Sequence, residues 1–226
     1  MAYVVALLAT RWGSELGGLN VFNRGLAEGM TQALPKGSRT ICFVNKLPLI
    51  VDDSADSIEL IECEAFTASQ LAGDITKRCE EFEPETLLGV LVVGHDAITG
   101  PAAIDCAHEL REHLGDGIGV KSAVIGHMDY SAYAFMKNLS NSEVTERSTK
   151  QREIIAAADC AFAVGPLLQS NFASARSVTH RPRSPVRQLV PGVDKVKLQT
   201  HNPRMDLRIF ISGRLNRDDD PIKNSI

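Results

Sequence analysis

Apolar runs alternate with amphipathic segments along most of this chain. Strands are predicted at residues 3–9, 39–45, 57–63, 87–94, 120–127 and 160–165, because short apolar runs suit strands that are buried on both faces. Segments with helical spacing of apolar residues lie between or after them, at 21–34, 69–82, 101–114, 145–158 and 166–175. Alternating strands and helices predict an α/β, Rossmann-like fold, with a mostly parallel sheet and helices on both faces.

The pattern changes after residue 175. Residues 176–188 carry two prolines and are predicted to form a loop, whose charge is either solvated or used for a ligand or lipid; its arginines are Arg176, Arg181, Arg183 and Arg187. From Met205 a fresh apolar strand and a glycine turn begin. We therefore predict a first domain over 1–204 and the truncated start of a second Rossmann-like domain over 205–226.

Composition and charge point to a folded protein that handles small molecules. Hydrophobic residues make up 44% of the 226 residues and charged residues 23%, as in ordinary globular domains. The net charge of -4 gives no electrostatic reason to bind nucleic acid or an anionic membrane. Five cysteines without a C-x-x-C pair predict neither a zinc site nor a disulfide framework, which fits the cytoplasm. The first apolar run is too short for a signal peptide or a transmembrane segment.

The first candidate site is the glycine pair Gly17 and Gly18, which follows the first predicted strand. Glycine lets the backbone approach an anion closely, and the N-terminus of the following helix offers free N–H groups. The pair is therefore a candidate phosphate site. A tight strand-to-helix turn without a ligand is the alternative.

Two histidine segments follow neighbouring predicted strands. His95 and Asp96 come after the strand 87–94, and His127 ends the next predicted strand. Ligands of open parallel sheets bind at the carboxyl ends of strands, so these side chains are candidates for binding or catalysis. The alternatives are that Asp96 caps a helix while His95 packs nearby, and that His127 is structural.

The last candidate site lies after the predicted strand at 207–211. Arg214 offers a planar fork of donors and Lys223 a mobile point charge, two complementary ways of holding phosphate oxygens. The acidic triplet 218–220 lacks the alternating spacing of a calcium loop, so it is predicted to be solvated and no metal site is expected.

In this collinear order, the segments resemble the N-terminal half of GT-B glycosyltransferases, in particular the large retaining family 4-like group that includes sucrose-phosphate synthases and mannosyltransferases. The similarity spans nearly the whole chain. The matching segments are GGLNVFNRGLAEGM, VVGHDAITGPAAI, VIGHMDYS, EIIAAADCAFAVGPLLQSNF, QLVPGVD, and SGRL with DDPIKN. Asn224 departs from the family, which commonly has glycine after the lysine.

The resemblance implies two Rossmann-like domains facing each other across a cleft. It places Gly17 and Gly18 at the diphosphate of a nucleoside diphosphate sugar, which is the substrate, and implies no cofactor. It places Arg214 and Lys223 on the opposite side of that diphosphate. His127 would then lie beside the transferring sugar, and the two remaining candidates, His95 and Asp96, would line the acceptor side.

These expectations leave three functional hypotheses. The first is the N-terminal portion of a retaining glycosyltransferase, inactive as this fragment, because the family's nucleotide-binding part and paired glutamates should lie beyond Ile226. Its partners would be the sugar donor, an unidentified acceptor and the missing C-terminal donor domain. The second is a non-catalytic domain that senses a nucleotide or sugar within a larger protein. The third is another Rossmann-like enzyme, such as an epimerase, although the nicotinamide-binding glycine fingerprint is missing.

Overall fold

The computed structural model describes residues 1–13, 18–47, 57–83, 85–177 and 184–190. Over these ranges the chain forms a single sheet with helices between its strands. In chain order the elements are β1 (Ala2–Arg11), α1 (Gly18–Ala33), β2 (Arg39–Lys46), β3 (Ile58–Glu62), α2 (Ala68–Cys79), β4 (Leu87–His95), α3 (Asp96–Leu114), β5 (Gly119–Gly126), α4 (Tyr130–Met136), α5 (Asn141–Ala157), β6 (Cys160–Val164), α6 (Pro166–Ser177) and β7 (Arg187–Leu189).

The sheet has the order β3-β2-β1-β4-β5-β6-β7, and every pairing in it is parallel. The Rossmann-like α/β fold is therefore confirmed. After β1 the chain adds β2 and β3 on one side, and then returns to add β4 and the later strands on the other side. This reversal puts a crevice at the carboxyl ends of β1 and β4, where open α/β sheets bind ligands.

The two faces of β1 explain why its sequence is a continuous apolar run. Val4, Ala6 and Leu8 belong to a core cluster with α2 and α3. Their neighbours Val5, Leu7 and Ala9 belong to a second cluster with α1 on the opposite face. Successive side chains of a strand point to opposite faces, so a central strand covered by helices on both sides buries its middle residues without interruption, here from Val4 to Ala9.

The starts of α3 and α5 differ most from the sequence prediction. α3 begins at Asp96 and contains Pro101 in its interior, whereas the prediction placed that proline in the first turn. α5 begins at Asn141 because Ser140 and Glu143 form a capping box ahead of the first apolar residue. The short helix α4 was not predicted. The first turn of α5 is polar, so the spacing of apolar residues alone does not reveal where this helix begins.

The predicted loop at 176–188 is wrong at both ends. Arg176 belongs to α6 and is buried, donating hydrogen bonds of 3.0–3.2 Å to the carbonyl oxygens of Ile155, Ala158 and Asp159. Its guanidinium group thus binds carbonyl groups at the C-terminal end of α5, a common role for arginine near a helix C-terminus, and its charge is not solvated. Arg187 starts β7 and is exposed. The other two arginines of that segment, Arg181 and Arg183, lie outside the described residues.

The predicted second domain at 205–226 also lies outside the described residues, so its boundary stays a prediction. Among the helices of the described ranges, none has both the length and the apolar character needed to cross a bilayer.

Candidate functional site

The carboxyl ends of β1, β4 and β5 lie side by side in the sheet. β4 ends at His95, and β5 ends at Gly126, directly before His127. The helix that follows β1 begins at Gly18, so its first turns stand over the same edge. Two imidazoles that are 32 positions apart in sequence thereby meet at the crevice next to β1.

His95 is completely buried and is part of a polar chain that runs through the core. Its Nε2 atom lies 2.8 Å from Oδ1 of Asn23, and Nδ2 of Asn23 lies 3.2 Å from Sγ of Cys42. Burial raises the pKa of Cys42 to about 12, so this thiol is neutral. This series of hydrogen bonds therefore connects β2, α1 and β4 without placing a net charge in the core.

The imidazole of His127 extends this series of hydrogen bonds to the sheet edge. Nδ1 of His95 lies 3.0 Å from Nε2 of His127. Because Oδ1 of Asn23 only accepts, the proton of neutral His95 resides on Nε2, and its Nδ1 must accept. His127 then donates from Nε2, which leaves its own Nδ1 as an acceptor. No described residue forms a hydrogen bond to that atom.

Both imidazoles are neutral at physiological pH. Burial lowers the pKa of His95 to about 3, and the neighbouring His127 adds to this effect. Burial alone lowers the pKa of His127 to about 4. A hydrogen bond between two imidazoles needs one ring nitrogen with a free lone pair, so neutrality and geometry agree.

Phe22 on α1 covers the histidine pair. Its ring meets His127 edge to face, with 4.7 Å between the centroids and an angle of 86°. It also approaches His95 at 6.2 Å in a similar orientation. Such T-shaped contacts are favourable for aromatic rings, and here they add to the burial that lowers both pKa values.

Asp96 holds the backbone of the loop after β5. It is 3% exposed, has a φ of 44° and accepts a hydrogen bond of 3.0 Å from the backbone N–H of His127 through Oδ2. Burial raises its pKa to about 7, although its hydrogen bonds to His127 and Gln151 act in the opposite direction. The N-cap position is taken by His95, and the carboxylate of Asp96 binds His127 and Gln151 and not the first turn of α3, so the helix-cap interpretation of Asp96 is wrong. A left-handed φ is uncommon for a residue other than glycine, and aspartate tolerates it better than most.

Thr99 locks the start of α3 onto the sheet edge. Its hydroxyl accepts a hydrogen bond of 2.8 Å from the backbone N–H of His95 and donates one of 2.9 Å to the carbonyl oxygen of Leu8. Gly94 allows this close approach, because a β-carbon there would lie 2.4 Å from the carbonyl oxygen of Thr99. The ends of β1 and β4 are therefore fixed relative to α3.

The structure thus brings together His95, Asp96 and His127. Gly18 opens α1, and a β-carbon on it would meet no atom of the described residues within 4 Å. The remaining predicted site residues lie outside the described residues: Gly17, Arg214 and Lys223. Their assignment to a donor diphosphate stays a prediction.

A family model described as "Family 4 Glycosyltransferase in conflict systems" matches residues 6–225 of the chain. The chain belongs to this family. The match covers almost the entire sequence and agrees with the resemblance to family 4-like glycosyltransferases that the motifs indicated.

Two further comparisons add less. No curated protein sequence matches this member of the GT4-conflict family. The crystal structure of UGT71G1 from Medicago truncatula, complexed with UDP-glucose, is similar with a TM-score of 0.45 and 10% sequence identity. The similarity covers 84% of this chain and 51% of that one, so this chain spans about half the length of that protein.

In this GT4-conflict chain, several residues of the site were missed by sequence reasoning: Phe22, Asn23, Thr99 and Gln151. Asn23 and Gln151 share one signal, which is a polar residue in the buried stripe of a helix. Asn23 lies with Ala27 on the buried face of α1, and Gln151 lies with Ile154 and Ile155 on that of α5. A polar residue at such a position requires buried hydrogen-bond partners. Which partners it finds depends on the fold.

A polar cleft of about 200 Å³ adjoins the loop after β5. Its walls come from that loop, α4, α5 and α6, and they carry hydroxyl, amide, carboxylate and guanidinium groups. The lining residues are Asp129, Ser131, Ser148, Gln151, Arg152, Asn171, Phe172 and Ser174. Such groups suit a ligand that is rich in hydroxyl groups.

Proposed function

We propose that this chain is the acceptor-side portion of a retaining glycosyltransferase that takes a sugar from a nucleoside diphosphate sugar. Membership of the GT4-conflict family supports sugar transfer as the reaction class. The observation that carries the proposal is the histidine pair at the switch point of the sheet, in which His95 is buried and the half-buried His127 keeps one ring nitrogen available to a ligand.

His127 acts in this proposal as a hydrogen-bond acceptor. With Nε2 committed to His95, Nδ1 accepts a hydrogen bond from a hydroxyl group of the transferring sugar. The pKa of about 4 makes this imidazole a weak base, so it orients the sugar and does not remove a proton from it.

The phosphate contacts fall on Gly17, Gly18, Arg214 and Lys223. During transfer the bond between the anomeric carbon and the phosphate oxygen breaks, a bond to the acceptor oxygen forms, and the proton of the acceptor hydroxyl passes to an oxygen of the departing diphosphate. Negative charge grows on the departing diphosphate, and fixed donors at that place stabilise the transition state. Backbone N–H groups at the start of α1 and the two cations serve this role, without a metal or cofactor in the proposed mechanism.

The acceptor side is assigned to His95 and Asp96. Because both side chains are buried, we propose that they shape the acceptor site through the loop and the imidazole that they hold. The polar cleft beside that loop supplies groups that can contact acceptor hydroxyls. The donor domain that begins near residue 205 completes the site, so this chain by itself is expected to be inactive and to bind donors weakly or not at all.

The test uses the natural full-length protein that contains this chain and a panel of nucleoside diphosphate sugars. Product analysis by NMR gives the anomeric configuration, which is retained if the proposal holds. Arg214→Ala is expected to lower kcat/KM by about 10–100-fold, since one charge-assisted hydrogen bond contributes about 1.5–3 kcal/mol. Arg187→Ala, at the exposed start of β7, is the matched control and is expected to keep full activity.

Two results would refute parts of this proposal. Unchanged turnover of Arg214→Ala with the true donor removes the diphosphate assignment. Specific binding of a nucleotide sugar by the full-length protein without transfer to any acceptor supports the sensing module instead.

A further inference from the structure

One buried amide joins three segments that are distant in sequence. Gln151 on α5 is 4% exposed, and its Nε2 atom lies 2.7 Å from the carbonyl oxygen of Met128 and 3.4 Å from Oδ1 of Asp96. Its Oε1 atom accepts a hydrogen bond of 3.1 Å from the backbone N–H of Tyr130. Both N–H groups and the oxygen of the amide are therefore used.

These bonds hold the loop that carries His127. The loop joins β5 to α4, and its first N–H group, that of His127, is bound by Asp96. Gln151 donates to the carbonyl group of Met128 and accepts from the N–H group of Tyr130. Since Gln151 also binds Asp96, the two side chains form one connected clamp on the loop. This clamp therefore fixes the backbone at His127 and at the residues that follow it, and so fixes the position from which the imidazole extends.

The hydrogen-bond pattern of the clamp requires an amide side chain at position 151. Two acceptors, the carbonyl group of Met128 and the carboxylate of Asp96, face one donor group, and one backbone N–H group faces one acceptor. A carboxylate at position 151 would place an acceptor against two acceptors. An apolar side chain would remove the partner of one buried carboxylate oxygen and of two partly buried backbone groups, which is unfavourable. Packing alone would favour an apolar residue here, as at Ile154 and Ile155 on the same face.

We propose that Gln151 is a positioning residue, which sets the place of His127 at the sheet edge through the loop backbone and Asp96. The consequence for sugar transfer rests on the proposed function. The effect on His127 itself does not, and it can be measured on this chain without any substrate.

The test is NMR of the ¹⁵N-labelled chain in four forms: unaltered, Gln151→Leu, Gln151→Glu and the control Gln169→Leu. Gln169 is a matched control because it also lies on a helix and its side-chain amide also donates a hydrogen bond to a backbone carbonyl group, that of Val186, at 3.0 Å. The backbone N–H of His127 and its imidazole nitrogens are the reporters. We expect Gln151→Leu to shift these signals strongly at every pH, and the control to leave them at their original positions.

Gln151→Glu separates positioning from a general loss of stability. When protonated, this side chain can donate one hydrogen bond, so lowering the pH is expected to move the His127 signals back towards those of the unaltered chain. The titratable or charged side chains around position 151 are Asp96, His127, Asp129, Tyr130, Arg147 and Arg152. A parallel titration of the unaltered chain subtracts their contribution.

Unchanged His127 signals in folded Gln151→Leu overturn the proposal, as does an equal shift in the Gln169 control. If Gln151→Leu does not fold, Gln151→Glu decides alone, because a lack of recovery at low pH contradicts the proposal. In the full-length enzyme we expect Gln151→Leu to lower kcat by about 10–100-fold with little change in the KM of the donor. A shift of the His127 signals with unchanged kcat keeps the positioning role and refutes the function assigned to His127.

Discussion

At the scale of single residues, the site is defined by side chains whose pKa values burial displaces towards the neutral form. His95, His127 and the thiol of Cys42 all have pKa values displaced towards the neutral form. Asp96 is displaced in the same sense, to about 7. The sequence marks three of these residues as candidates by their position after strands. Their protonation depends on burial, which only the packed structure determines.

This burial predicts how stability depends on pH. The pKa of His127 falls from 6.5 to about 4 on folding, so its contribution to stability is complete above about 6.5 and is lost as the pH falls to about 4. His95 acts in the same direction. Asp96 opposes them, because its raised pKa gives a contribution that is complete below 3.8 and lost as the pH rises through about 7. Acidification below about pH 6.5 is therefore expected to cost net stability.

The substitution His127→Gln tests this expectation. Glutamine keeps a donor near the position of Nε2 and removes the titration, so the free energy of unfolding should fall less between about pH 6.5 and 4 than in the unaltered chain. Urea denaturation at several pH values measures it. His108→Gln, at an exposed position of α3, is the control. Identical pH dependence in His127→Gln and the unaltered chain would show that His127 is not held neutral by burial.

At the scale of elements, close contacts between strand ends and helices fix the site. Gly126, the last residue of β5, lies against Phe172 of α6, and a β-carbon there would come within 2.1 Å of Cε2 of that ring. Gly94 makes the corresponding contact between β4 and the backbone of α3. The apolar spacing of the sequence located these strands and helices well. It could not show that glycines at two strand ends are required by contacts with α3 and α6.

We expect Gly126→Ala to lower the free energy of unfolding by about 1–3 kcal/mol, because the added methyl group overpacks the contact with Phe172. Gly29→Ala is the matched control in α1, where a β-carbon meets no atom within 4 Å, and a gain of about 0.5–1 kcal/mol is expected there. Chemical denaturation measures both.

A double variant identifies the cause of the Gly126 effect. Phe172→Leu makes room, so the combined Gly126→Ala and Phe172→Leu variant should be more stable than the sum of the two single effects predicts. Strict additivity would mean that the methyl group does not meet the ring.

At the scale of the whole molecule, apolar layers cover both faces of the sheet and protect the thiols from solvent. Cys42, Cys63, Cys79 and Cys106 are buried, Cys160 is partly buried, and all five are free. Burial raises the pKa of Cys42 and Cys106 to about 12 and that of Cys79 to about 11, so their reactive thiolate forms are rare.

The folded chain is therefore expected to react slowly with a thiol reagent. A colorimetric disulfide reagent at mildly alkaline pH should modify Cys160 first, and all five cysteines should react rapidly in concentrated guanidinium chloride. Mass spectrometry of peptides identifies the modified sites. Rapid modification of Cys42 in the folded chain would contradict the closed core and the buried chain from Cys42 to His127.

The sequence by itself determined the order and type of most elements, the parallel sheet and the family, because these follow from local apolar spacing and from motifs in a fixed order. It also selected His95, Asp96 and His127, since residues after strands meet at one edge of a parallel sheet. It placed Arg176 in a loop and missed Asn23 and Gln151, whose partners come from elements far away in the chain. Tertiary structure alone decided those contacts, because burial is what forces each polar group to find a partner and each imidazole to remain neutral.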